Sequence, residues 1–75
     1  MKLTGHVTRK ILYAGTKSEH EALVLVTPAG EYKLRRQGGN PFRDETLAAL
    51  EGRQIEGEGI LRQNQFIMSS WKTIP

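Results

Sequence analysis

The chain has 75 residues, a formal net charge of +3 from 11 lysines and arginines against 8 aspartates and glutamates, two histidines and no cysteine. That length allows one domain, residues 1–75, which buries only about 60% of the surface its unfolded form exposes. The composition excludes disulfides and cysteine-based zinc sites, and no apolar run nears the roughly 20 residues a membrane helix needs.

The first expected strand runs from Leu3 to Tyr13. Leu3, Val7, Ile11 and Tyr13 share one parity, as a half-buried strand requires, and Arg9 breaks the pattern. Gly5 inside it predicts a bulge or sharp bend. Residues 14–21 are polar and read as a loop. Ala22-Leu23-Val24-Leu25-Val26-Thr27 is a short apolar run rich in β-formers, hence a second strand. Thr27-Pro28-Ala29-Gly30 is a turn sequence, and Glu31 to Arg36 alternates cleanly, so the pair predicts a β-hairpin.

Gln37-Gly38-Gly39-Asn40-Pro41-Phe42 reads as a loop, with Phe42 at the core or its rim. A short helix is expected over about Asp44 to Glu51, with Asp44 as cap, Leu47 and Leu50 on one face and Gly52 as the left-handed stop. Gln54 to Arg62 is a fourth strand whose Gly57 and Gly59 leave room for a close neighbour. Gln63-Asn64-Gln65 is a turn, and Phe66 to about Thr73 a fifth strand. Trp71 is one position out of step with Phe66 and Met68, which predicts a bulge before it. The expected core is Val7, Ile11, Tyr32, Leu34, Leu47, Leu50, Ile55, Leu61, Phe66 and Met68.

The order is β-β-β-α-β-β, an all-β chain with one short helix between strands three and four. An SH3-like barrel also has five strands, but its helical turn usually falls between strands four and five. Here that gap holds only Gln63-Asn64-Gln65, so a small five-stranded OB-like barrel is preferred. The stretch Leu50-Glu51-Gly52-Arg53-Gln54-Ile55-Glu56-Gly57-Glu58-Gly59-Ile60-Leu61, followed by Phe66-Ile67-Met68, resembles the second half of many small bacterial OB-fold proteins. Gly5-His6-Val7 and Glu31-Tyr32-Lys33-Leu34 are similar to their first half. The resemblance implies a fold and little about function.

Catalytic patterns are missing. His20 lies between Glu19 and Glu21, but one histidine with two glutamates lacks zinc spacing, and no metal or cofactor is expected. None of Ser18, Ser69 and Ser70 sits in a Gly-x-Ser-x-Gly elbow, and Gly57-Glu58-Gly59 is too short for a dinucleotide fingerprint. The expectation is a binding protein and not an enzyme. The opening Met1-Lys2-Leu3-Thr4-Gly5-His6 lacks the long apolar segment of a signal peptide, and a cytoplasmic protein is expected.

Residues 1–43 carry eight basic side chains and three acidic ones, residues 44–75 three basic and five acidic. A basic half attracts phosphates or an acidic protein, or is simply a solvated face. In OB-folds the usual ligand surface is the face of strands two and three with the loops joining strands one to two and four to five. On that face the candidate contacts for single-stranded DNA or RNA are Lys17, Lys33, Arg35, Arg36 and Arg62, with Tyr13 as the exposed ring. A turn with a glycine bulge sets Leu23 and Leu25 beside Arg35 and Lys33 outside the barrel; a two-residue loop sets Val24 and Val26 there instead. The proline position favours Leu23 and Leu25, which would anchor a protein partner or a second copy in the alternative function.

Overall fold

The computed structural model describes residues 1–39 and 44–75. Asn40, Pro41 and Phe42 of the expected loop lie outside them, and so does the reading of Phe42 as core. The elements are β1 (Lys2–Leu12), β2 (His20–Thr27), β3 (Gly30–Arg36), α1 (Glu45–Ala48), β4 (Gln54–Arg62) and β5 (Gln65–Ile74). The chain is all-β with one short helix. Its five strands close into a ring in the order β1-β2-β3-β5-β4. Every pairing is antiparallel except β3 with β5.

Closure depends on β1 serving two neighbours. Lys2 to His6 pairs with β4, and His6 to Leu12 pairs with β2. The two pairings overlap at His6, next to Gly5, where a Cβ would run into the Val26 carbonyl, so the missing side chain permits the close approach there. Gly57 plays a packing role. A Cβ on it would lie 2.6 Å from Met68 Sδ and 3.0 Å from Phe66 Cε2, so those two core side chains occupy its place. The bulge before Trp71 is present: Glu58 pairs with Ser70 and Gly59 with Met68, which leaves Ser69 as the extra residue. Trp71 is thereby turned back onto the core.

The core consists of Val7, Leu25, Leu34, Leu47, Leu50, Ile55, Phe66 and Met68, with Tyr32 packed against it. Fully burying side chains of this size contributes about 1.5–3 kcal/mol each. Two expected members are not in it: Ile11 is 59% exposed and Leu61 38% exposed. Both have the inward parity. However, Ile11 lies where β1 has β2 alone beside it, and Leu61 where β4 has β5 alone. Parity sets the face a side chain takes, whereas burial needs something on the other side.

α1 is shorter than expected but keeps its signals. The Asp44 carboxylate accepts from the amides of Thr46, at 3.0 Å, and Leu47, at 3.3 Å. Leu47 and Leu50 are buried, and Gly52 stops the turn at φ +83°. The Gly52 amide then donates to the Val7 carbonyl at 2.7 Å and ties this segment to β1. Arg9, the misfit of the first strand, donates from Nε to Glu51 at 2.9 Å and so fixes the end of the helical segment.

Candidate functional site

The register of the β2–β3 hairpin decides what its outer face carries. Thr27 pairs with Gly30, so the loop has two residues, Pro28 and Ala29. The Thr27 hydroxyl accepts from the amides of Ala29 and Gly30, both at 3.2 Å, and donates to the Gly30 carbonyl at 2.8 Å. This side-chain closure removes the need for a glycine bulge. Val24 therefore pairs with Lys33, and Leu25 with Tyr32. The expected outward pair is corrected: Leu25 is fully buried and Leu23 packs against the core. The valines take the outer side, Val24 buried and Val26 half-buried.

A row of outward residues crosses all five strands. Thr8, Val24, Lys33, Gln65 and Arg62 are successive partners on β1, β2, β3, β5 and β4. Lys33 and Arg62 stand two strands apart, about 10 Å. Arg35 projects from the same side of β3, and its guanidinium donates to Gln65 Oε1 at 3.2 Å. An arginine can only donate, so the Gln65 amide nitrogen is left facing away.

Ion pairing sorts the cations. Lys2, Arg9, Lys10, Arg36 and Lys72 each lie beside a carboxylate. Among the described residues, Lys17, Lys33, Arg35, Arg53 and Arg62 do not. Four of these five are expected contacts. The fifth expected cation, Arg36, is committed elsewhere. It donates from Nε to Asp44 at 3.0 Å, and the Asp44 side chain is only 8% exposed. Burial pushes the Asp44 carboxyl up, but the Arg36 hydrogen bond, the Leu47 amide, the Arg36 charge and the Thr46 amide outweigh it. The group is held below the ordinary aspartate value.

Tyr13 is the exposed ring, at 65%. Its backbone is left-handed, φ +55°, and its carbonyl accepts from the Thr16 amide at 3.1 Å and hydroxyl at 2.7 Å. The ring stands 6.0 Å from that of His20, tilted by 35°, within the usual aromatic contact range. His20 Nδ1 lies 2.6 Å from the Ser18 carbonyl. A carbonyl only accepts, so the proton is on Nδ1.

Two concavities adjoin this surface. The smaller, about 270 Å³, has Tyr13 and Lys33 on its walls with Gln63, Asn64 and Gln65 of the β4–β5 turn, and Val24 also lines it. Lys10 and Glu31 also reach it but neutralise one another. The larger, about 730 Å³, lies between the β1–β2 loop and α1. Arg9, Lys17, Lys33, Arg35 and Arg36 line it together with Glu19, Glu21, Asp44 and Glu45. Four carboxylates line it against one, Glu31, in the smaller concavity, and Lys33 borders both. Arg62 lines neither and extends the row beyond the pocket.

Gln63 and Asn64 are the site residues that sequence reasoning read as a turn alone. Both are left-handed, φ +51° and +62°, the arrangement of a type I′ loop, where Asn-Gly or Gly-Gly is the usual choice. For an ordinary L-residue this conformation costs on the order of 1–2 kcal/mol. A glutamine in a two-residue hairpin loop was the available signal. Comparison with protein-family models, with curated proteins and with solved structures returns no match. Among the described residues no helix is long and apolar enough to cross a membrane.

Proposed function

We propose that this chain is an OB-type barrel that binds single-stranded DNA or RNA weakly, through the outer face of β2 and β3. The flanking contacts come from the β1–β2 loop and the β4–β5 turn. The ring order, the parallel β3–β5 pairing and the helix between β3 and β4 support the fold reading. One observation carries the function: among the described residues, Lys33, Arg35 and Arg62 on the outer row and Lys17 in the β1–β2 loop have no carboxylate partner, and Lys33 shares a pocket with Tyr13, a strongly exposed aromatic ring. Cations follow phosphates, and a ring stacks on any base. Affinity in the range of about 10⁻⁴ to 10⁻⁶ M at physiological salt follows from so few contacts.

The test is a titration of fluorescent single-stranded oligonucleotides at low and raised salt, comparing the wild type with Lys33→Glu/Arg62→Glu. Binding should weaken steeply with salt, and the double variant should lose it while melting like the wild type. Equal binding by the double variant would remove this face from the function. The second reading, self-association or a protein partner, no longer rests on Leu23 and Leu25. It rests on Ile60, 57% exposed and paired across the strands with Ile67 beside Arg35. No oligonucleotide binding at low salt, with a solution mass above the 8.4 kDa of one chain, would favour it.

A further inference from the structure

Left-handed backbone in residues other than glycine is uncommon, and aromatic or long side chains there are strained. Such positions persist where the surroundings enforce them, and they cluster at ligand sites. Among the described residues three non-glycine positions have a left-handed φ: Tyr13, Gln63 and Asn64. They come from distant parts of the chain, the end of β1 and the β4–β5 turn, and all three line the same 270 Å³ pocket. Glycine occupies the positive-φ positions at 15, 30, 38 and 52, none of which lines that pocket. Tyr13 and Gln63 thus stand where glycine or asparagine would relieve the backbone, with Asn64, which tolerates this conformation, beside them, and all three line one small cavity.

The chemistry of those side chains is complementary. Tyr13 offers an exposed π-face. Gln63 and Asn64 offer carboxamides, each with one acceptor and two donors, and among the described residues neither makes a side-chain hydrogen bond to the protein. Gln65 adds an amide nitrogen, because Arg35 holds its oxygen. Lys33, also on the wall, has no carboxylate partner and is placed for a phosphate. A carboxamide pairs in two-point fashion with adenine, accepting from N6 and donating to a ring nitrogen. The cavity is smaller than the roughly 300–1,000 Å³ of sites for larger ligands, in keeping with one base.

We propose that this pocket is a single-base subsite with a preference for adenine, in which Tyr13 stacks on the base, Gln63 and Asn64 read its edge and Lys33 holds the adjoining phosphate. The proposal rests on the nucleic-acid reading above and adds to it one position of sequence preference in an otherwise tolerant contact.

The experiment measures anisotropy of labelled deoxyadenosine and thymidine homopolymers of about 10 nucleotides, within the site size of one such barrel, at low and raised salt. The wild type should bind the adenine strand about fivefold or more tightly than the thymine strand, the lower end of a two-point base contact. Gln63→Gly/Asn64→Gly keeps a loop that accepts left-handed φ and removes both carboxamides. It should bring the two affinities within about twofold and leave the salt slope unchanged. Tyr13→Asn, which tolerates the same φ, should weaken binding to both strands about fivefold or more, again with an unchanged salt slope. Equal wild-type affinities, or a preference that survives the glycine pair, would overturn the subsite while leaving the binding face intact. Binding of neither strand at low salt would overturn both.

Discussion

The helical segment and the β4–β5 turn meet the same backbone requirement in opposite ways. Where α1 gives way to β4 the chain needs one left-handed residue, and it is Gly52. At the β4–β5 turn it needs two, and they are Gln63 and Asn64. Charge follows the same division. Around the helix, Arg36 meets Asp44 and Arg9 meets Glu51, whereas around the turn Lys33, Arg35 and Arg62 have no carboxylate beside them. The helical region is arranged for stability: capped, neutralised and sealed by Leu47 and Leu50. The turn region carries a left-handed Gln63 and cations without a carboxylate partner, the features on which the proposed polyanion contact rests.

The strongest way to break this contrast is Leu47→Ala. A buried leucine truncated in a small core should cost about 2–5 kcal/mol, read by urea denaturation, with oligonucleotide affinity unchanged under conditions where the variant stays folded. A loss below about 1 kcal/mol would mean that the helix does not seal the core.

Acid titration sharpens it next. Because the Asp44 carboxyl is held below its ordinary value in the folded chain, it adds stability above the unfolded aspartate value of about 3.9. That contribution is lost as pH falls through the folded value. Asp44→Asn can still cap α1, so it should flatten the acid limb of a stability–pH curve and leave the cap in place. Asp44→Ala should also lose the cap, about 0.5–2 kcal/mol. An acid limb unchanged in Asp44→Asn would assign it to other carboxylates.

The smallest effects give the most direct contrast. Gly52→Ala puts a side chain at a left-handed position and should destabilise by about 1 kcal/mol. Gln63→Asn/Asn64→Gly installs the preferred type I′ pair and should stabilise by about 0.5 kcal/mol, a rise in Tm of a few degrees. Opposite signs in thermal melts are the expected result. A turn variant that melts below the wild type would show that Gln63 and Asn64 serve the fold.

Much of this architecture was legible one residue at a time. Asp44 as cap, Gly52 as stop, Leu47 with Leu50, and Trp71 one step out of phase are relations between residues two to four apart. The sequence states such relations directly, because helix and strand periods place those side chains on a common face whatever surrounds them. Exposure of Tyr13 was legible for a similar reason, since it stands where strand becomes polar loop. Tertiary structure decided everything that depends on a distant neighbour. Ile11 and Leu61 have the right parity, yet each lies where its strand is paired on one side only. Leu23 and Leu25 changed places with Val24 and Val26 because the Thr27 hydroxyl closes a two-residue loop, and a one-residue change of register turns every side chain over. The pocket itself is the clearest case. Tyr13 and Gln63 are 50 positions apart in the sequence, and the ring of strands brings them to one cavity, a relation no local period could have expressed.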